Sequence, residues 1–171
     1  MKEYLIIDGY NIINAWPELD AIKEEDLDYA RSKLIDIISE HAALTGRITT
    51  IIFDAYLVKG NIGSREMIGG IEVIYTKEGI TADMAIERMT AQLPKHCKVF
   101  VATSDRLQQE TIWGKGAFRI SAMELYREVQ MAKTDHRKRN APKLYTADRL
   151  EDRLHPEIRE KLEKMRLNKQ E

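Results

Sequence analysis

The sequence predicts an α/β fold built on a parallel sheet, and two patterns support this prediction. Short apolar runs alternate along the chain with longer segments in which apolar residues recur at helical spacing. Several of the apolar runs end at or beside an Asp. Strands that alternate with helices form a parallel sheet with right-handed crossovers, and the helices cover both faces. One domain followed by a charged tail is the simplest organisation.

The composition is that of a globular protein and excludes several classes. Of 171 residues, 43% are hydrophobic and 32% are charged. The 27 Lys and Arg residues nearly balance 28 Asp and Glu residues, which excludes a uniformly basic nucleic-acid binder but not a local basic patch. The single cysteine, Cys97, excludes an internal disulfide and fits a reducing compartment. Without a signal-peptide pattern or a run of membrane-spanning length, we expect a cytoplasmic protein with no membrane partner.

The first strand is predicted at Tyr4–Ile7 and ends at Asp8. Because the carboxyl ends of strands in an open α/β sheet face the ligand crevice, we expect Asp8 at the mouth of that crevice. Gly9 allows the backbone to turn sharply there, and Asn11 can bring an amide towards Asp8. The same Asp could instead cap the following helix or turn.

The remaining elements follow in order. Further strands are predicted at residues 48–54, 71–76, 98–103 and 117–120. Helices are predicted after Trp16-Pro17, from Leu27 to Leu44, from Thr81 to Leu93, up to about Trp113, after Ser121, and from Pro156 towards Leu167. The Gly-containing segment from Lys59 to Gly70 is predicted to be an exposed, mobile loop. It is not a phosphate-binding loop, because it lacks the Gly-Lys-Ser/Thr ending.

Four aspartates fall at the ends of these elements. Asp8, Asp54 and Asp105 follow strands, and Asp83 opens a helix. If the strands are parallel, all four carboxylates gather at one edge of the sheet, where mutual repulsion would raise their pKa values. A divalent cation relieves that repulsion, and carboxylate oxygens and water suit Mg²⁺ or Mn²⁺. A metal held in this way can activate water for phosphodiester cleavage.

Other chemistries fit the sequence less well. No Gly-x-Gly-x-x-Gly motif follows a strand, so we expect no nucleotide cofactor. The first strand ends in Asp-Gly-Tyr and not Asp-x-Asp, which disfavours an aspartyl-phosphate phosphatase. The four histidines have no zinc-ligand spacing with Cys97, and Ser104 has no evident histidine partner for a hydrolase triad.

Four short motifs resemble those of NYN-domain nucleases, which are relatives of the PIN domain. They are Asp8-Gly9-Tyr10-Asn11, Phe53-Asp54-Ala55, Thr81-Ala82-Asp83 and Thr103-Ser104-Asp105. The resemblance extends from about Met1 to Met131 and is closest to the YacP-like branch. It implies a PIN-like three-layer α/β/α fold with a central parallel sheet in the order 3-2-1-4-5. We place this domain at residues 1–134 and a charged, partly helical C-terminal extension at residues 135–171.

The resemblance also implies metal-dependent endonucleolytic cleavage of RNA and, for the YacP-like branch, action on messenger RNA at the ribosome. By that resemblance Asp8, Asp83 and Asp105 would hold the Mg²⁺ or Mn²⁺ ion. Asn11 would orient a carboxylate or the scissile phosphate, and Asp54 would complete the acidic site.

The number of metal ions stays open at this point. PIN nucleases commonly place an acidic residue in the helix after the first strand, and the candidates here, Asp36 and Glu40, could both face solvent. Glu78 could join the site or belong to a turn.

RNA binding requires cations for the phosphates and flat groups for the bases. Candidate substrate-binding residues near the predicted active edge, each of which could also be an ordinary surface residue, are Lys59, Arg65, Lys77, Ser104, Arg106, Lys115 and Arg119. Tyr10, Tyr56 and Trp16 could stack on bases or belong to the core. The basic cluster 136–139 could contact RNA or form an exposed helix face.

Two other functions compete with the nuclease hypothesis. One is a non-catalytic RNA- or ribosome-binding module on the same fold. The other is a receiver-like domain with an acidic Mg²⁺ pocket. It ranks last because it requires paired acids after the first strand and a phosphorylatable Asp after the third, and the sequence has neither.

Overall fold

The structure is a computed structural model that describes residues 2–55, 62–94, 96–104 and 117–140. The strands within these ranges are β1 Glu3–Asp8, β2 Ile48–Phe53, β3 Ser64–Ile68, β4 Ile71–Tyr75, β5 Lys98–Ala102 and β6 Phe118–Ile120. The helices are α1 Gly9–Ala15, α2 Pro17–Lys23, α3 Leu27–Thr45, α4 Ala82–Gln92 and α5 Ala122–Asn140.

The strands form one sheet in the order β3-β4-β2-β1-β5-β6. All neighbours are parallel except β3 and β4, which are antiparallel. The five parallel strands therefore follow the predicted order 3-2-1-4-5, which confirms the predicted fold class. Strands β1, β2, β4 and β5 consequently all end on the same side of the sheet, which we call the carboxyl edge. The opposite side, where these strands begin, is the amino edge.

Helices cover both faces of the sheet, and each face has its own apolar core. Leu5 and Ile7 of β1 belong to the cluster that includes buried residues of α1, α2, α3 and α5. Ile6, between them in sequence, belongs to the cluster on the other face, which includes Ala82 and Ile86 of α4. This alternation is the consequence of the two-residue period of a strand, and it produces the three layers.

Strand β3 corrects the prediction of a loop at residues 64–68 of the segment from Lys59 to Gly70, which is exposed there as predicted and whose first three residues lie outside the described ranges. It joins β4 through Gly69 and Gly70, whose φ angles are +56° and +83°. Positive φ at both central residues is the requirement of a tight hairpin turn that matches the strand twist. A Cβ atom at Gly69 would also lie 2.5 Å from Oγ of Ser39. Every residue of β3 is exposed, so the strand has no buried alternation that reveals it in the sequence.

Gly9 also has a different role from the predicted sharp turn. It is the first residue of α1, and it is absent from the glycines with positive φ. A Cβ atom at this position would lie 2.4 Å from the ring of Phe53. Glycine is required here because the start of α1 packs directly on β2.

The predicted helix ends are confirmed where the structure describes them. Gly46 follows α3 in the left-handed conformation, with φ of +71°. Thr81 caps α4 by accepting a hydrogen bond from the Met84 N–H at 3.3 Å. Ser121 and Glu124 form the predicted capping box before α5. The Ser121 N–H donates to Oε2 of Glu124 at 2.7 Å, and the Glu124 N–H donates to Oγ of Ser121 at 3.2 Å.

The chain divides into two compact units, Met1–Arg137 and Lys138–Glu171, and the sites discussed below lie in the first. The predicted domains at residues 1–134 and 135–171 stay a prediction. The helices predicted up to Trp113 and from Pro156 lie outside the described residues. Within the described ranges, no helix has the length and apolar character needed to cross a membrane.

Candidate active site at the carboxyl edge

Asp8 lies at the carboxyl edge and also caps α1. Its Oδ1 accepts a hydrogen bond from the Asn11 backbone N–H at 3.2 Å, and its Oδ2 accepts one from Nδ2 of Asn11 at 2.6 Å. Only 4% of Asp8 is exposed. Asp8 therefore ends the strand and caps the helix, and its place at a ligand crevice stays a prediction.

Asn11 connects the ends of two neighbouring strands. Besides its bond to Asp8 after β1, its Nδ2 donates to Oγ1 of Thr103, the residue that follows β5, at 3.4 Å. Thr103 is fully buried. The amide of Asn11 therefore fixes the orientation of the Asp8 carboxylate, and its role towards a scissile phosphate stays a prediction.

Asp54 ties the end of β2 to the start of α4. Its Oδ2 accepts a hydrogen bond from the Ala82 backbone N–H at 3.2 Å. The next residue, Ala55, donates its N–H to Oγ1 of the buried Thr76 at 2.8 Å. Asp83 lies in the first turn of α4, next to Ala82, and is exposed. The helix dipole favours a carboxylate in that turn.

The metal ligands predicted from sequence are only partly described. The structure includes Asp8, Asp54 and Asp83, whereas Asp105 lies outside the described residues. Within those residues, no group of three or more His, Cys, Asp or Glu side chains could hold a metal ion. The donor type fits the expected cation, since carboxylate oxygens are the preferred ligands of Mg²⁺ and Mn²⁺. The assignment of ligands stays a prediction.

The predicted RNA-binding residues are distributed unevenly. Lys59, Arg106, Lys115 and Tyr56 lie outside the described residues. Those that the structure describes are exposed residues on or beside strands, namely Arg65 on β3, Lys77 after β4, Ser104 after β5 and Arg119 on β6. Arg65 has a partner on its own sheet, with Nε 3.1 Å from Oε1 of Glu72.

Five residues for which the sequence left alternative roles open now have a location. Trp16 is fully buried and donates from Nε1 to the Ala122 carbonyl at 2.8 Å. Trp16 therefore belongs to the core, and the alternative that it stacks on RNA bases is wrong. Asp36 and Glu40 are both exposed on α3, as the sequence analysis allowed. Glu78 lies in an exposed turn after β4. Tyr10 is half-buried at the carboxyl edge.

Arg31 is the residue near this edge that the sequence analysis missed. Its Nη1 donates to the Tyr10 hydroxyl oxygen at 2.7 Å, and its guanidinium carbon lies 5.8 Å from the centre of the Tyr75 ring. The rings of Tyr10 and Tyr75 both pack against the ring of Phe53, and each of their centres lies 5.3 Å from the Phe53 centre. Burial raises the pKa of Tyr75. In the sequence Arg31 resembles any solvated helix charge, and no local signal marks it.

At the amino edge, Arg47 binds two carboxylates. Arg47 donates from Nε to Glu3 at 3.2 Å and from Nη1 to Glu128 at 2.5 Å. Nε2 of the buried His41 lies 3.4 Å from the same Glu128 carboxylate. These neighbours, His41 first and then Arg47, hold the pKa of Glu128 below its usual range. The Arg47 guanidinium likewise lowers the pKa of Glu3.

Comparisons with known proteins agree with the fold. The family model for the YacP-like NYN domain matches residues 5–167. YacP of Bacillus subtilis (strain 168) is 43% identical over 129 residues, which cover 75% of each chain. The crystal structure of Rae1 (YacP) from Bacillus subtilis matches with a TM-score of 0.70 and 37% identity, covering 95% of this chain and 94% of that one. A single-substitution variant of Rae1 matches with a TM-score of 0.69 and 32% identity, covering 96% and 99%. The chain therefore belongs to the YacP-like NYN domain family, whose members are nucleases.

Proposed function

We propose that this protein is a metal-dependent endoribonuclease that hydrolyses RNA phosphodiester bonds at the carboxyl edge. The observation that carries the proposal is the Asp8–Asn11 pair at the carboxyl edge, in which both Asp8 carboxylate oxygens accept hydrogen bonds from Asn11. Membership in a nuclease family supports this chemistry. A buried, oriented carboxylate at a strand end is suited to hold a catalytic ion and less suited to bind RNA directly, because phosphate repels it.

Asp8, Asp83 and Asp105 would hold Mg²⁺ or Mn²⁺. The ion would supply a bound water of lowered pKa as the nucleophile and would stabilise negative charge on the phosphate. Asn11 keeps the Asp8 carboxylate in one orientation, and Asp54 secures the first turn of α4, which carries Asp83. The side chains of this edge thus provide positioning, which is a large part of what a phosphoryl-transfer site requires.

RNA is the proposed substrate, and messenger RNA on the ribosome is its proposed form. The first part rests on the nuclease family, and the second on the resemblance to the YacP-like branch. The exposed Lys77, Arg65 and Arg119 are suited to contact phosphates near the edge. Lys59 and Arg106, which lie outside the described residues, are proposed as further phosphate contacts on sequence grounds. Action on ribosomes would place the protein in the cytoplasm.

The test is cleavage of RNA, both free and on translating ribosomes, with Mn²⁺, Mg²⁺ or a chelator. We expect cleavage that depends on metal and stops with chelator. Asp83→Asn should still bind RNA or ribosomes but should not cut, because it removes a proposed ligand from an exposed position and leaves phosphate contacts in place. Wild-type protein that binds but leaves RNA intact in both settings with Mn²⁺ would contradict the nuclease proposal and favour the non-catalytic binding module.

A further inference from the structure

We propose that Arg31 is a positioning residue of this nuclease, which keeps Asn11 and Asp8 in place through the hydroxyl group of Tyr10. The inference rests on the proposed function, because its measured consequence is the rate of RNA cleavage. Arg31 itself is not expected to touch the RNA or the metal.

The Arg31 guanidinium joins three elements near the carboxyl edge. It belongs to α3, donates to Tyr10 of α1 at 2.7 Å and lies 5.8 Å from the Tyr75 ring centre on β4. It also forms an ion pair with Asp28 one turn earlier in α3. Only 23% of its side chain is exposed. A planar group with several donors can make these contacts simultaneously, whereas a lysine ammonium cannot reproduce them.

Tyr10 transmits this restraint to the site because it precedes Asn11 in the first turn of α1. Its ring packs edge-to-face on Phe53 at 5.3 Å, and Gly9 rests on the same Phe53 ring. The turn is therefore supported by Phe53 on one side and held by Arg31 through the hydroxyl. A rotation of this turn would move Nδ2 of Asn11 away from Oδ2 of Asp8, which lies at 2.6 Å.

The decisive variant is Tyr10→Phe, because it keeps the ring and removes only the oxygen that Arg31 holds. Tyr126→Phe is the matched control. Tyr126 is also half-buried and packs edge-to-face on an aromatic ring, that of Trp16, at 5.3 Å. Tyr126 belongs to α5, and its hydroxyl makes no hydrogen bond within the described part of the chain.

The measurements are the single-turnover cleavage rate at saturating enzyme, the Kd for RNA and the Mn²⁺-induced rise in Tm. They use the full chain and the RNA setting, free or ribosomal, in which the wild type cuts. Tyr10→Phe should lower the maximal rate about tenfold or more, as the loss of groups that orient metal ligands usually does. Its Kd for RNA should stay within about twofold, and its Mn²⁺ shift should shrink.

Arg31→Lys should lower the rate to a similar extent, and the Tyr10→Phe/Arg31→Lys double variant should be no slower than the more impaired single variant. This non-additivity is expected because both changes interrupt one contact. Tyr126→Phe should cleave at the wild-type rate.

A Tyr10→Phe protein that cleaves at the wild-type rate would overturn the inference and leave the proposed nuclease intact. A weaker Kd with an unchanged maximal rate would also overturn it, since Tyr10 would then be a substrate contact. A wild-type protein that neither cuts RNA nor responds to Mn²⁺ would overturn the proposed function, and the inference with it.

Discussion

The two edges of the sheet hold their carboxylates in different ways. At the amino edge, Glu3 and Glu128 bind the guanidinium group of Arg47. At the carboxyl edge, Asp8 accepts hydrogen bonds from the amide and backbone of Asn11. Arg47 supplies an opposite full charge to its two partners, whereas the hydrogen bonds from Asn11 fix the orientation of the Asp8 carboxylate. Under the proposed function, the amino edge contributes to stability and the carboxyl edge carries the chemistry.

A large effect on cleavage, second to the loss of a proposed metal ligand, is expected from removing the Asn11 amide. Asn11→Ala deletes the side-chain donor to both Asp8 and Thr103, so Oδ2 of Asp8 loses its 2.6 Å hydrogen bond while the backbone N–H bond to Oδ1 is kept. Cleavage should fall about 10–100-fold, measured as a single-turnover rate. Asn14→Ala is the control on the same helix, because Asn14 is exposed and bonds only to Lys23 among the described residues. Equal cleavage rates for Asn11→Ala and Asn14→Ala would contradict the role of Asn11 in orienting Asp8 for catalysis, and with it the assignment of chemistry to the carboxyl edge.

The second effect concerns stability at the amino edge. Arg47→Ala removes hydrogen bonds to Glu3 and Glu128 from a side chain that is 16% exposed. Its free energy of unfolding should fall by about 1.5–3 kcal/mol. Arg65→Ala should cost less than about 1 kcal/mol, because the Arg65 side chain is 64% exposed. Denaturant titration measures both values, and an equal loss in the two variants would contradict the account.

Arg47→Ala also tests whether the amino edge takes part in chemistry. The fraction of the variant that remains folded should cut RNA at the wild-type rate. A large loss of activity per folded molecule would mean that the amino edge contributes to catalysis as well as to stability.

The third and smallest effect is the response of Tm to acid. Glu128 has a lowered pKa in the folded protein, mainly because of His41 and then Arg47. Its stabilising contribution is present above the ordinary glutamate pKa of about 4.3 and is lost as the pH falls through the lower folded value. Thermal melts across this range should show a steeper loss in the wild type than in Glu128→Gln. Glu25→Gln, at an exposed position, should melt like the wild type.

The sequence predicted the parallel strands and their carboxyl edge because the signals there are local. Buried parallel strands are apolar runs, and an Asp after such a run is visible without knowledge of tertiary contacts. The caps at Thr81 and Ser121 were predictable for the same reason, since their partners lie three residues away. The family resemblance added the strand order and the expected activity.

The features that were missed lack an apolar pattern in the sequence or depend on residues far apart in the chain. β3 is exposed along its whole length, and only the Gly69-Gly70 pair indicated a hairpin. Arg31 contacts Tyr10, which lies 21 positions earlier in the chain, and Gly9 at the start of α1 contacts Phe53 at the end of β2. No periodicity encodes such contacts, because they arise only when helices and strands pack.

The most direct test of the account is to remove one carboxylate charge at each edge and measure both proteins in the same assay. Asp8→Asn and Glu128→Gln are compared with wild type for Mn²⁺-dependent RNA cleavage per folded molecule and for Tm. Asp8→Asn should abolish cleavage per folded molecule, because a proposed metal ligand is lost, and Tm measures the separate cost of losing one acceptor of the Asn11 hydrogen bonds. Glu128→Gln should lower Tm and cleave at the wild-type rate, because the pair with Arg47 is weakened. Undiminished cleavage by Asp8→Asn, or its loss in Glu128→Gln at equal folded fraction, would contradict the assignment of chemistry to the carboxyl edge.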